Sequence, residues 1–290
     1  MPLTVAPGQI VTLLVSGVGS ALTQTVQASG GNALPNTLAG ISVTLRQGAG
    51  TRSVPLLEVR PVSTCSNPQP AGSPNTCGRL TAVTVQIPLE IRTLCLLCLS
   101  PVSVEAAQLF VNENGADGAG FDLSPLSDQI HIVTSCDVTV DGGARPVSLT
   151  GLPCPPMVRH ADGSLVSAAQ PAKAGEEVVA YAFGLGQTNP AAVTGAPVAI
   201  AAASLNAIAI DFNFHSNALP ARPVQNQWFI GPAPVFAGST PGFVGLYQIN
   251  FVVPPLPAGT PTCAGSVHSN FTVSFAEASS YDGAGICVEP

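Results

Sequence analysis

The stretch APGQIVTLLVSGVGS at residues 6–20 returns as KAGEEVVAYAFGLGQ at residues 173–187. Gly8, Val11, Gly17 and Gly19 fall on Gly175, Val178, Gly184 and Gly186, a shift of 167 at each position. ISVTL at 41–45 lies against IAIDF at 208–212, and VQIP at 85–88 against FVVP at 251–254, a shift of 166. FVNENGADGAGF at 110–121 lies against FAEASSYDGAGI at 275–286, a shift of 165, with the tetrapeptide DGAG intact. Separated matches this close to one period make the chain a single unit written twice. Whatever fold one copy takes, the other must be able to take too.

Each copy reads as strands. QIVTLLVSG, ISVTLRQ, AVTVQIPLEI and AAQLFV are runs of β-branched and apolar residues that end at Gly, Pro or Asn, and their counterparts are EVVAYAFG, NAIAIDFNF, LYQINFVVP and FTVSFAEA. VEAAQLF has helical composition in isolation, but its counterpart NFTVSFA reads as strand, and the repeat decides for strand. The 29 glycines and 28 prolines are spread as punctuation, the pattern of many short strands joined by turns. The expected fold is all-β: two tandem Greek-key β-sandwiches of about 7 strands each. The first covers residues 1–134, with a Cys65–Cys77 loop inserted; a Gly/Pro-rich connector covers 135–165; the second sandwich covers 166–290.

VAPGQIVTLLVSGVG, NTLAGISVTL and AVTVQIPLEI in the first copy resemble a family of uncharacterised C-terminal domains of Solibacter-type secreted bacterial proteins. In the second copy RHADGSLVSAAQPAKAGEEVVAYAFGLGQTNPA and TPGFVGLYQINFVVPPLPAG carry the same likeness. The resemblance implies immunoglobulin-like or TIG-like modules and an exported location, and no activity. The eight cysteines and the Cys65–Cys77 loop depart from that pattern.

Charge narrows the partners. Only 9% of residues are charged, the net charge is −7, and Lys173 is the single lysine. No basic stripe exists to neutralise phosphates or an anionic bilayer, so nucleic acid and anionic membrane surfaces are set aside. The uncharged run from Val178 to Ile210 is broken by Gly184, Gly186, Pro190, Gly195 and Pro197, which speaks for strands and turns rather than membrane insertion. Eight cysteines, an even number, fit an oxidising, extracellular or cell-surface location. Residues 1–20 lack the build of a signal peptide, so export implies one removed and not present in this chain. Spacing favours the bridges Cys65–Cys77, Cys136–Cys154 and Cys263–Cys287, each stabilising by roughly 2–4 kcal/mol. Cys95 and Cys98 pair with each other only if the chain turns between them; otherwise they pair elsewhere or between molecules.

The candidate chemistry is thin, and no catalytic, cofactor or metal residue is assigned. Asp117 and Asp122, with Asn112, Glu113 and Asn114, make an oxygen-rich stretch of the kind calcium uses, but Asp-Gly reads first as a turn, and the second copy keeps Asp282 while Cys287 replaces the second aspartate. Cys95-Leu-Leu-Cys98 has neither the second pair zinc needs nor a redox context. His131, His160, His215 and His268 form no metal motif. His160, Asp162 and Ser164 are neighbours in one loop, without a nucleophile elbow. Glu176 and Glu177 are adjacent, face opposite sides, and read as solvated charge. Trp228, Phe229, Phe243 and Tyr247 are the one aromatic group suited to a polysaccharide face, although Trp and Tyr in such folds are more often core or corner residues. Asn270-Phe-Thr272 matches a glycosylation sequon and reads as incidental.

The expectation is therefore a non-catalytic extracellular structural or adhesive protein, contacting other surface proteins or self-associating into a filament or surface layer through edges that lack protective lysines. The segments to watch are Leu3–Val5, Ile286–Val288 and the LCLLC strand. A carbohydrate-binding accessory module is the alternative, and a hydrolase with dispersed catalytic residues the less favoured third.

Overall fold

The computed structural model describes residues 2–29, 31–63, 78–93, 106–135, 137, 155–212, 233–260, 263, 269–275 and 280–289. The fold is all-β in several open sheets, with no helix among the described residues. The chain divides into two compact units: Met1–Leu126 with Val193–Pro197, and Ser127–Ala192 with Val198–Pro290.

In unit 1 one sheet runs β1 (Leu3–Val5), β10 (Ala116–Pro125), β9 (Ala107–Glu113), β5 (Ile41–Gln47), β4 (Thr37–Leu38), with β6 (Gly50–Val54) also paired to β5. The other runs β2 (Ile10–Val15), β8 (Arg79–Gln86), β7 (Leu56–Ser63), β3 (Val26–Gln27). The alternation in ISVTLRQ is what buries Ile41, Val43 and Leu45 while Ser42, Thr44 and Arg46 turn outward. Those three join Leu109 and Val111 of their own sheet, and Leu13, Val15, Val59, Val83 and Val85 of the other, in one core cluster. Two sheets that bury one common core are a sandwich. The last four residues of VEAAQLF, Ala107–Phe110, open β9 as strand.

Unit 2 repeats the plan with additions. One sheet runs from β14 (Glu177–Phe183) through β19 (Tyr247–Val252), β18 (Phe236–Ser239) and β16 (Ala203–Ser204) to β15 (Thr188–Asn189). The far edge of β14 is taken by two short strands, β11 (His131–Ile132) and β12 (Val158–His160). The other sheet is β17 (Ile208–Phe212), β20 (Ser269–Phe275) and β21 (Tyr281–Ile286), and β13 (Ala172–Lys173) pairs in parallel with β22 (Val288–Glu289). β12 falls inside the stretch read from sequence as connector, yet it is hydrogen-bonded into unit 2. The strand number exceeds about seven per unit because the chain uses two- and three-residue strands that leave no periodic trace in sequence.

The two copies share register as well as order. Val11 faces Val85 across β2–β8, and Val178 faces Phe251 across β14–β19. Every pair of the first ladder maps onto the second by 167 in one strand and 166 in the other. Leu45 faces Leu109, and Phe212 faces Phe271, a shift of 167 in one strand and 162 in the other. The second shift departs from 165 because residues 114–115 connect β9 to β10 whereas residues 276–280 connect β20 to β21. The recurrent glycines have a common cause. Gly8, Gly17, Gly19, Gly175, Gly184 and Gly186 all have φ between 68° and 83°, where a side chain is strained. A Cβ on Gly19 would also lie 2.8 Å from the Thr81 hydroxyl, and one on Gly184 would strike the Gln129 carbonyl.

DGAG is not a turn. Asp117–Gly120 lies within β10 and Asp282–Gly285 within β21, and the first copy carries a bulge between Asp117 and Gly120. The small residues are there for packing: a Cβ on Gly118 would meet the Val111 carbonyl, and one on Gly120 would lie 3.1 Å from the Phe110 ring. Cys263 and Cys287 form a disulfide with Cα atoms 5.3 Å apart, closing 24 residues. Cys65, Cys77, Cys95, Cys98, Cys136 and Cys154 lie outside the described residues.

Candidate functional site

The polar cluster with the most chemistry sits where β12 turns back on itself. A tight turn over His160–Gly163, closed by the Gly163 amide on the His160 carbonyl at 2.9 Å, is followed by Gly163 at φ 86° and by the His160 amide on the Ser164 carbonyl at 2.9 Å. Asp-Gly supplies this geometry: the Asp162 carboxylate accepts from the Ser164 amide at 2.9 Å, and Gly163 takes the left-handed position. A second turn ahead of β14, Lys173–Glu176, places Glu176 opposite, its carboxylate accepting from the Lys173 amide at 2.9 Å. His160, Ala161, Asp162, Ser164, Gln170 and Glu176 line a shallow cavity of about 380 Å³.

His160 Nδ1 lies 2.5 Å from Glu176 Oε1, and Nε2 lies 3.1 Å from the Gln170 carbonyl. Both ring nitrogens face acceptors, an arrangement that a doubly protonated imidazole satisfies. The Glu176 hydrogen bond, with help from the Gln170 carbonyl and Asp162, holds the imidazole above its ordinary pKa against desolvation. Burial pulls the Glu176 carboxyl upward, but the imidazole and the Lys173 amide outweigh it and hold that carboxyl below its usual range. Glu176 is thus an ion-pair partner rather than the solvated charge expected from sequence, whereas Glu177 accepts a hydrogen bond from Asn250 at 3.1 Å.

The three neighbours His160, Asp162 and Ser164 do come together, but not as a relay. Ser164 Oγ donates to Asp162 Oδ1 at 2.6 Å, so the aspartate engages the serine and the imidazole engages Glu176. A nucleophilic triad needs the opposite: serine on imidazole, imidazole on carboxylate. The Ser164 hydroxyl and amide hold the Asp162 carboxyl below its usual range, which makes it a weaker base.

A second histidine is held in the same way. His131 Nε2 lies 3.1 Å and 3.2 Å from the two Asp137 oxygens, Nδ1 lies 3.5 Å from Asp282 Oδ2, and the ring stacks on Phe183. The sequence reading found neither Asp137 nor Asp282 as partners of His131. Asp282 is 151 residues away, and the packing of β11 against β21 brings it near; its Oδ2 also accepts from the Ile132 amide at 2.7 Å. His215 and His268 lie outside the described residues.

The other sequence candidates disperse. Asn112 donates to Thr44 Oγ1 at 3.2 Å, Glu113 accepts from the Gly19 amide at 3.2 Å, and Asp122 accepts from Gln108 at 2.7 Å. These side chains serve separate structural contacts, and among the described residues no group of three or more potential ligands is placed to hold a metal. Of the four aromatics singled out, two lie among the described residues. Tyr247 is buried in the unit 2 core with its hydroxyl donating to the Gly186 carbonyl at 2.5 Å, and burial pushes its phenol pKa up. Phe243 is 53% exposed, and Trp228 and Phe229 lie outside the described residues. Thr272 of the sequon is buried in β20. Of the edges singled out, Ile286 and Val288 are buried and Val288 is paired with Ala172; Leu3–Val5 pairs with β10; residues 94–98 lie outside the described residues. No known protein-family model matches the chain, and no curated protein matches it.

Proposed function

We propose that the chain is a non-catalytic extracellular structural or adhesive protein: two immunoglobulin-like units that act by surface contact and self-associate through strand edges. One observation carries this reading. Among the described residues β2, IVTLLV, pairs with β8 alone, whereas its counterpart β14 is covered on both sides. An uncharged strand with one edge unpaired invites another strand, and natural sheets usually guard such edges with charge, above all lysine. Leu14, in the middle of β2, is 55% exposed. The Cys263–Cys287 disulfide supports an oxidising location. The engagement of Asp162 with Ser164, and of His160 with Glu176, supports a role without turnover.

Sedimentation velocity over a range of concentrations without reductant, together with electron micrographs, tests it. Oligomers that grow with concentration are expected, and Leu14→Lys is expected to return them to monomers. Dispersed monomers at the highest concentration overturn the assembly reading.

A further inference from the structure

The two histidines just described stand on the two strands that cover the outer edge of β14. β11 contributes two residue pairs to that edge and β12 three. Ladders this short hold weakly by themselves. Each is reinforced by one imidazole whose two nitrogens both face acceptors: the carboxylates of Asp137 and Asp282 for His131, and the Glu176 carboxylate and Gln170 carbonyl for His160. A neutral imidazole has one N–H, so loss of a proton would set a bare nitrogen lone pair against an oxygen at one contact of each ring. On the facing strand the Tyr181 carbonyl and amide also bond Val133 and Met157, contacts that do not titrate, and Glu177 is engaged by Asn250. The β14 residues in register, Phe183 and Ala182 for β11 and Val178, Val179 and Ala180 for β12, are uncharged. Beyond the carboxylates named, the charged groups near these rings are Asp162 in the His160 turn, Lys173 beside Glu176, and Arg159, whose guanidinium donates to the Gly163 carbonyl at 2.5 Å.

We infer that β11 and β12 form a proton-dependent latch: His131 and His160, each carrying two ring protons, hold the strands on β14, and loss of those protons at alkaline pH frees that edge. The inference stands apart from the assembly reading, since it concerns the closure of unit 2 alone.

The titration runs in the required direction. The Asp137 hydrogen bond, then that of Asp282, pushes His131 up to about 10 against desolvation, and Glu176 first among its neighbours raises His160. An unfolded histidine titrates near 6.5, so the latch contributes in full below about pH 6.5 and is lost as pH rises through the folded values, about 10 at His131. On the acid side Asp137, which burial alone would raise, is held below its usual range by His131 and the Thr134 amide. Its contribution, like that of Glu176, is lost only as pH falls through those lowered values.

Proton NMR of the imidazoles in the full chain, with His215→Asn and His268→Asn to leave the two rings in question, tests the protonation. Midpoints well above 6.5 are expected for both; midpoints near 6.5 for both overturn the inference. Pulsed hydrogen exchange then follows the strands. Protection over 131–132 and 158–160 is expected to fall about tenfold or more between pH 6.5 and 10 relative to β5 and β9, a factor of ten for each unit of pKa shift. In Asp137→Asn and Glu176→Gln the loss is expected at lower pH. Unchanged protection in the wild type, or the same pH dependence in both variants, overturns the inference. If a variant does not fold, the wild-type titration decides.

Discussion

Unit 1 and unit 2 put different side chains into the same places. Where unit 1 has Leu45, Val85 and Leu109, unit 2 has Phe212, Phe251 and Phe271, at matching positions in matching ladders. In unit 1 the trio is fully aliphatic and buried. In unit 2 the three rings sit 5.2–5.9 Å apart, tilted against one another, a favourable arrangement for aromatic pairs. The difference teaches that the backbone register is the inherited quantity here and core volume the adjustable one. A sandwich tolerates such exchange when the neighbours repack around the new volume, and objects when they do not.

The sharpest way to break the comparison is to empty the ring cluster. Phe271→Ala is expected to cost about 3–5 kcal/mol, confined to unit 2; denaturant unfolding followed by hydrogen exchange should show β17 and β20 losing protection before β5 and β9. Replacing Cys263 and Cys287 together by Ser is expected to cost about 3 kcal/mol through the freed 24-residue loop. The bridge has no counterpart among the described residues of unit 1, so reductant should lower the midpoint of unit 2 more in the wild type than in the double variant. Leu109→Phe sharpens the comparison from the other side. It copies the residue of unit 2 into unit 1 without its neighbours, and overpacking is expected to cost about 1–3 kcal/mol. The triple replacement with Leu45→Phe and Val85→Phe tests whether the neighbours are the missing part, since recovery relative to Leu109→Phe alone would be non-additive. Smallest is Phe243→Ala, expected to change stability by less than about 0.5 kcal/mol because the ring is exposed.

The fold was legible where local pattern and burial agree. ISVTLRQ alternates, and β5 spans Ile41–Gln47 in that alternation; EVVAYAF is bounded by glycine, and β14 ends at Phe183. DGAG misled because glycine next to aspartate marks a turn in local chemistry, while here the glycines make room for the Val111 carbonyl and the Phe110 ring. Tyr247 stayed open between core and ligand face because an aromatic in a strand can face either way, and the pairing with Ala182 fixes it inward. The site was legible only in part. His160, Asp162 and Ser164 are close in sequence and stay close. Glu176 reaches His160 through the pairing of β12 with β14, and Asp282 reaches His131 through the meeting of β11 and β21. Contacts of that range leave no mark on composition or period.

The glycines with positive φ carry a consequence for any further copy of this unit. Gly8, Gly17 and Gly19 repeat their spacing in Gly175, Gly184 and Gly186, while the residues between them change from aliphatic to aromatic and from neutral to acidic. A third relative could exchange its entire interior and all its charges and still be recognised by three empty positions, set nine and then two residues apart, where the chain bends in a way that strains a side chain.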